Sequence, residues 1–145
     1  MEIETIKIKY HVGGLEPVSQ AHDFEWIDLR SAEDVVLMKG DFKYINLGVS
    51  MKLPDGYEAI MAPRSSTFKK YGILMTNGIG IIDNKYCGTN DIWKMAAYAT
   101  RDTVIRKNDR ICQFRVQKCQ PYIIFSQVDQ MEDPDRGGLG STGVK

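Results

Sequence analysis

A hydrophobic period of two is the feature that most narrows what this chain can fold into. Ile6, Ile8 and Tyr10 alternate with Lys7 and Lys9, and Leu47, Val49, Met51 and Leu53 repeat the pattern further on. Successive side chains of a strand point to opposite faces, so each run reads as a half-buried strand. "PDG" at 54–56 supplies a turn before the next such run, "YEAIMA". Shorter β-rich runs follow in "GILMT", "IGII", "IWKMAAYA", "TVIRK", "RICQFRV" and "YIIFSQV", with turn signals such as "ATRD" and "KND" between them. No stretch longer than a few residues carries a helical period. The nearest is "SSTFKKYG" at 65–72, where Ser65 or Ser66 can cap a single turn and Gly72 can end it in the left-handed conformation. Many short strands at this spacing predict an all-β fold, a β-sandwich, jelly roll or small barrel.

Size and composition fit one such domain. At 145 residues the chain can bury a real core without staples. Its 19 basic and 19 acidic residues balance, which argues against a bulk electrostatic partner such as duplex DNA or an anionic membrane surface. Local basic pockets remain compatible with that balance, and so does self-association. Cys87, Cys112 and Cys119 form neither a CxxC pair nor a metal-ligand pattern with His, and an odd count suits a reducing compartment. No apolar run of membrane-spanning length is present. The expectation is a cytoplasmic, soluble protein with no membrane and no direct nucleic-acid partner. Residues 1–128 read as the β-domain, and 129–145, acidic and Gly-rich, as a flexible C-terminal arm.

Five stretches carry candidate chemistry. In "APRSSTFKKYGI", Arg64 precedes Ser65 and Ser66 at a helix start, where a guanidinium, hydroxyls and free N–H groups can converge on an anion. The plainer alternative is a capped turn beside a solvated Arg. In "TNGIGIIDNKYCG", apolar Ile79, Ile81 and Ile82 run into Asp83, a carboxylate placed to act as general base on a water, with Tyr86 just beyond. Here the alternative is that Asp83–Asn84 is only a hairpin turn. Asp28 interrupts the apolar set Trp26, Ile27 and Leu29, as an acid that pairs with an Arg or caps a turn does. Gln113 alternates in "DRICQFRV" as if sharing a face with Ile111. The closing "RGGLGSTG" joins an Arg, flexible backbone and two hydroxyls, as phosphate cradles do, but lacks P-loop spacing. Taken singly, none of these is decisive.

In chain order, however, they resemble the five motifs of the homotrimeric dUTPase family. "IDLRSAED" resembles the first, "APRSSTFKKYGI" the second, "NGIGIIDNKYCG" the third, "NDRICQF" the fourth and "RGGLGSTG" the fifth. The resemblance runs from about residue 26 to the C-terminus. It implies a jelly-roll-like homotrimer with a swapped C-terminal arm, three sites at subunit boundaries, and Mg²⁺-dependent hydrolysis of dUTP to dUMP and pyrophosphate. That reaction keeps uracil out of DNA and supplies the thymidylate precursor. Carried over by position, Asp83 would deprotonate the water attacking the α-phosphorus, and Tyr86 would pack on the deoxyribose. The hairpin containing Gly80 and Ile82, with the Asn77 side chain, would read uracil. Arg64, Ser65 and Ser66 would hold phosphate oxygens, with Gln113 near the α-phosphate. Asp28 would meet Mg²⁺ through water, and Arg136, Ser141 and Thr142 would clamp the terminal phosphates.

The chain departs from the family pattern in places. Its tail is two residues shorter before the GSTG and carries Leu139 where an aromatic that stacks on uracil is common. Leu139 can cover the base, and Trp93, in the loop extended by "GTNDIW", is a second candidate for that lid. Asn108 replaces a common Gly, an exchange that Asn's access to positive φ permits, and Ile27 replaces a common aromatic. Two other functions stay open at this point: dCTP deamination on the same fold family, and a non-catalytic or dual-role dUTP-binding trimer with a regulatory protein partner.

Overall fold

The computed structural model describes residues 2–22, 25–140 and 143. Among these residues eleven strands and one short helix form, in the order β1 Lys7–Tyr10, β2 Ile27–Arg30, β3 Val35–Leu37, β4 Phe42–Asn46, β5 Val49–Lys52, β6 Tyr57–Pro63, α1 Thr67–Tyr71, β7 Ile73–Met75, β8 Gly80–Ile82, β9 Lys94–Ala99, β10 Thr103–Ile105 and β11 Arg110–Lys118. The fold is thus mostly β, as the period of two requires. A four-stranded sheet runs β2-β11-β6-β8 and a three-stranded sheet β4-β9-β7, with β1-β5 and β10-β3 as two-stranded ribbons. Every pairing among them is antiparallel.

All four sheets contribute to one apolar cluster. In β9 the alternation is clean: Met95, Ala97 and Ala99 are buried while Lys94 and Tyr98 are exposed. Ile45, Ile73, Met61, Phe114, Leu37, Ile105 and Met51 meet them from the other strands. Trp93 sits at the centre with no exposed surface, its ring edge-on to Phe114 at 5.0 Å between centroids. Its position just before β9 is fixed by main-chain bonds to Val49 and Leu47.

Two expectations change. β1 pairs with β5 as a strand should, but its apolar face is not half-buried: Ile8 and Tyr10 are exposed and line a cleft of about 670 Å³ together with Ile27 and Val116. Among the described residues that face stays open to the cleft. The run at 122–128 forms no strand, and Tyr122, Ile124 and Phe125 are exposed. The ordered sheet therefore ends at Lys118, and exposed chain begins earlier than residue 129.

Candidate active site

The four-stranded sheet places the first cluster. β11 lies between β2 and β6, so Gln113 stands opposite Asp28 on one side and Ala62 on the other. β6 ends at Pro63 and hands the chain to Arg64. The Asp28 carboxylate is clasped from two directions: Arg64 Nε lies 3.1 Å from Oδ1, and Arg110 Nη1 donates to Oδ2 at 3.3 Å. Gln113 Nε2 donates to the Pro63 carbonyl at 3.1 Å. These side chains are one-third to one-half exposed, so each ion pair is worth only about 0–1 kcal/mol. Pairs that weak leave the guanidiniums open to capture by a stronger anion.

A β-bulge between Arg110 and Cys112 creates this geometry. Strict alternation along β11 would turn Arg110 inward with Cys112 and Phe114. Instead Ile111 and Cys112 are both buried, and Arg110 faces out beside Asp28. Bulges re-aim side chains in this way. The bulge also corrects the expected pairing of faces: Ile111 is in the core, whereas Gln113 is partly exposed. Burial pushes the Cys112 thiol up, with the Asp28 charge adding to the effect, so Cys112 is an inert core group.

The segment after Arg64 is fixed by Thr67. Its buried hydroxyl accepts the Arg64 N–H at 2.9 Å and donates to the Ile111 carbonyl at 2.9 Å. Sequence reasoning assigned the cap to Ser65 or Ser66, but Ser66 occupies the N-cap position without a side-chain capping bond. Both serines are exposed. Gly72 ends α1 in the left-handed conformation, as expected, at φ 65. A Cβ there would come within 2.7 Å of Arg101, whose guanidinium donates to the Lys69 and Lys70 carbonyls. Burial first, then the adjacent Asp109 carboxylate, pushes the Tyr71 phenol up to about 12.

β7 and β8 form a second feature. Although consecutive, they belong to different sheets, each as an edge strand. Edge strands carry unpaired N–H and C=O groups, so β7 and β8 each leave one main-chain edge unused by their sheets. The turn closes through Gly78 N–H to Met75 C=O at 3.0 Å. Asn77 is exposed at the tip, its amide nitrogen 3.8 Å from where a Gly80 Cβ would stand. Gly80 is buried and Ile82 half-buried.

Asp83 follows β8 directly. It is exposed, and its Oδ1 accepts the Lys85 N–H at 2.7 Å while its carbonyl accepts the Tyr86 N–H. Asp83 and Asn84 do form a turn, and Asn84 adds a staple: its amide donates to the Pro54 and Tyr57 carbonyls at 2.9 and 2.7 Å. Tyr86 donates to the Ile92 carbonyl at 3.0 Å and keeps a half-exposed ring.

These two groups of residues do not meet. The Asp83 loop is tied to Tyr57, the first residue of β6, while Arg64 follows its last. Six steps of about 3.3 Å put roughly 20 Å of strand between them. The tail residues Arg136 and Leu139 are exposed, Leu139 completely, and neither bonds to either cluster; Ser141 and Thr142 lie outside the described residues. Trp93 does not serve as a base lid: it is wholly buried in the core against Phe114. Asn108 takes φ 76, as the missing glycine demands, and its side chain also bridges Glu16 N–H and the Gly14 carbonyl. Among the described residues no group of three or more His, Cys, Asp or Glu side chains is placed to hold a metal, and no helix is long and apolar enough to cross a membrane.

The protomer is mostly β, with an Arg–Asp–Arg clasp near the last residue of β6 and an edge-strand hairpin and Asp83 loop near its first. The dUTPase family model matches residues 24–143, and the chain belongs to the dUTPase family. It is 51% identical over 140 residues to the SPbeta prophage-derived deoxyuridine 5'-triphosphate nucleotidohydrolase of Bacillus subtilis strain 168, covering 97% of this chain and 99% of that relative. The deoxyuridine 5'-triphosphate nucleotidohydrolase of Helicobacter pylori strain J99 is 32% identical, with 96% and 97% covered. In fold it is similar to a mutant dUTPase of Staphylococcus bacteriophage 80alpha with dUpNHpp, at TM-score 0.78 and 20% identity over 98% of this chain and all of that one. It is also similar to a dUTPase of phage phi11 of S. aureus described with a structural Mg(II) ion, at TM-score 0.75 and 18% identity over 89% and 99%.

Proposed function

We propose that this protein hydrolyses dUTP to dUMP and pyrophosphate, as a homotrimer of jelly-roll-like protomers whose sites lie between subunits. The observation that carries this reading is the roughly 20 Å of β6 between Arg64 and Asp83. Two half-sites that far apart are useless to one small substrate within a protomer, whereas a neighbouring copy can bring its Asp83 hairpin to this chain's Arg64 cluster. The uncovered face of β1 and the exposed Tyr122, Ile124 and Phe125 supply apolar surface for such an assembly.

In this assembly the open hairpin around Asn77, Gly80 and Ile82 reads uracil by main-chain hydrogen bonds. Cytosine is rejected because its amino group meets a donor and leaves buried groups unpaired. Tyr86, its ring anchored through Ile92, packs on the deoxyribose and leaves no room for a 2′-hydroxyl. Arg64, Ser65 and Ser66 hold phosphate oxygens, and Gln113, oriented by Pro63, lies by the α-phosphate. Asp83 takes the proton of a water whose oxygen bonds to the α-phosphorus; the bond from that phosphorus to the bridging oxygen breaks, and pyrophosphate leaves. Residues 129–145 act as a swapped arm closing over a neighbour's site, with Arg136, Ser141 and Thr142 on the terminal phosphates and Leu139 over the base.

Asp28, a single carboxylate between two guanidiniums, fits Mg²⁺ only when the ion arrives with the triphosphate and is met through water. When bound, it supplies neutralisation of the charge on the leaving pyrophosphate. Release of pyrophosphate from dUTP, dCTP, dTTP and UTP, with and without Mg²⁺, tests the proposal. Turnover confined to dUTP with Mg²⁺ is expected, and equal turnover of all four nucleotides would sink it.

A further inference from the structure

The Arg–Asp–Arg clasp contains one residue to which the proposed reaction gives no task. Arg110 is turned outward only because β11 is bulged, and it stands opposite Arg30 on β2. Two cations directly opposite on paired strands repel, so this placement is unfavourable unless something offsets it. Arg30 is drawn aside to the Asn108 carbonyl at 2.7 Å, and Arg110 to Asp28 Oδ2 at 3.3 Å. Arg64 holds the other oxygen of the same carboxylate, Oδ1, at 3.1 Å, and its Nη1 also reaches toward the Arg110 carbonyl. A cavity of about 220 Å³ opens against Asp28, Arg30 and Arg110.

We propose that Arg110 is a positioning residue that keeps Asp28 neutralised and in place when Arg64 is captured by a phosphate. The inference rests on the reading of Arg64 as a phosphate ligand. If Arg64 were the sole partner of Asp28, each substrate molecule would strip the carboxylate of its counter-charge. It would then face a polyanion bare, a few ångströms from the incoming phosphates, and like charges at such range oppose binding. Arg110 occupies the second oxygen, so the exchange of Arg64 from carboxylate to phosphate leaves Asp28 paired. The bulge that turns out Arg110 therefore serves substrate binding.

The test is a binding cycle with dUpNHpp in the absence of Mg²⁺, read by titration calorimetry on the intact protein, alongside thermal unfolding. Wild-type protein must bind first; failure there would overturn the phosphate-site reading itself. Given binding, Arg110→Gln is expected to weaken it about tenfold, the loss of one charge-assisted contact. In an Asp28→Asn background, where no carboxylate needs shielding, the same change is expected to alter affinity by less than about twofold. Arg110→Lys, which keeps the charge, is expected to recover part of the loss if it folds as the wild type does. An equal loss in both backgrounds would mean that Arg110 touches phosphate itself, and no loss in either would mean the clasp is idle. Both results overturn the proposal, and neither depends on turnover.

Discussion

Replacing Thr67 by valine keeps the shape of a fully buried side chain and deletes one hydroxyl. That hydroxyl satisfies two main-chain groups at once, the Arg64 N–H and the Ile111 C=O, both at 2.9 Å. A buried polar group left without a partner costs about 1–3 kcal/mol. Ile111 is wholly buried, so its carbonyl loses its bond with no water to replace it. Arg64 is only partly buried, so its N–H lies at the low end. The sum is about 2–3 kcal/mol, which for a chain of this size lowers the melting temperature by roughly 5–10 °C. The same bonds set the path of the chain through Arg64, Ser65 and Ser66, so KM for dUTP should rise together with the loss of stability. Urea unfolding and steady-state kinetics of T67V and T67S read the two effects separately. T67S keeps the hydroxyl and should stay within about 1 kcal/mol of wild type. If T67V matched T67S in both assays, the hydroxyl would not organise the phosphate loop.

Four further outcomes are expected. Asp83→Asn should lower kcat by about 10²–10⁴ with dUpNHpp binding largely kept, as removal of a general base does; full turnover would exclude that role. Deletion of the chain after Asp135 should abolish most turnover while the melting temperature holds, because the residues of the arm that are described pack on nothing. Trp93→Phe should lower stability by about 1–3 kcal/mol through lost volume and leave KM within about twofold. A much larger KM would return Trp93 to the base. Tyr71 is protonated in both folded and unfolded chains below pH 10, so it adds no pH dependence there. Between pH 10 and about 12 the unfolded phenol ionises first, and stability should fall as pH rises; Tyr71→Phe should remove that part of the fall in an alkaline denaturation series.

The strands were legible because alternation is a direct consequence of pleated geometry, and β9 and β6 appear almost as read. Gly72 and Asn108 were legible because so few residues tolerate positive φ, and each takes it. The missing parts share one physical reason: they depend on contacts between distant segments. Arg110 was hidden by the bulge, since strict alternation assigns it to the core. Thr67 looked like any residue of a first turn until Ile111, 44 positions away, proved to be its partner. Trp93 looked available as a lid because a loop residue beside an insertion carries no burial signal of its own. The structure takes it inward, where its indole N–H finds no hydrogen-bond partner among the described residues, and the ring packs on Phe114. Ile8 and Tyr10 gave the correct strand but more exposure than expected, while Ile6 packs on the core, because the period shows that a face needs covering and not what covers it.

The separation of Asp83 from Arg64 along β6 is the centre of this account, and subunit mixing tests it most directly. Asp83→Asn and Arg64→Gln proteins should each be nearly inactive alone. Unfolded together and refolded as a mixture, they should regain a clear fraction of dUTP turnover, because some sites then pair an intact Asp83 from one copy with an intact Arg64 from another. Mixtures as inactive as their parents, under conditions where wild-type protein refolds fully, would contradict a site shared between copies.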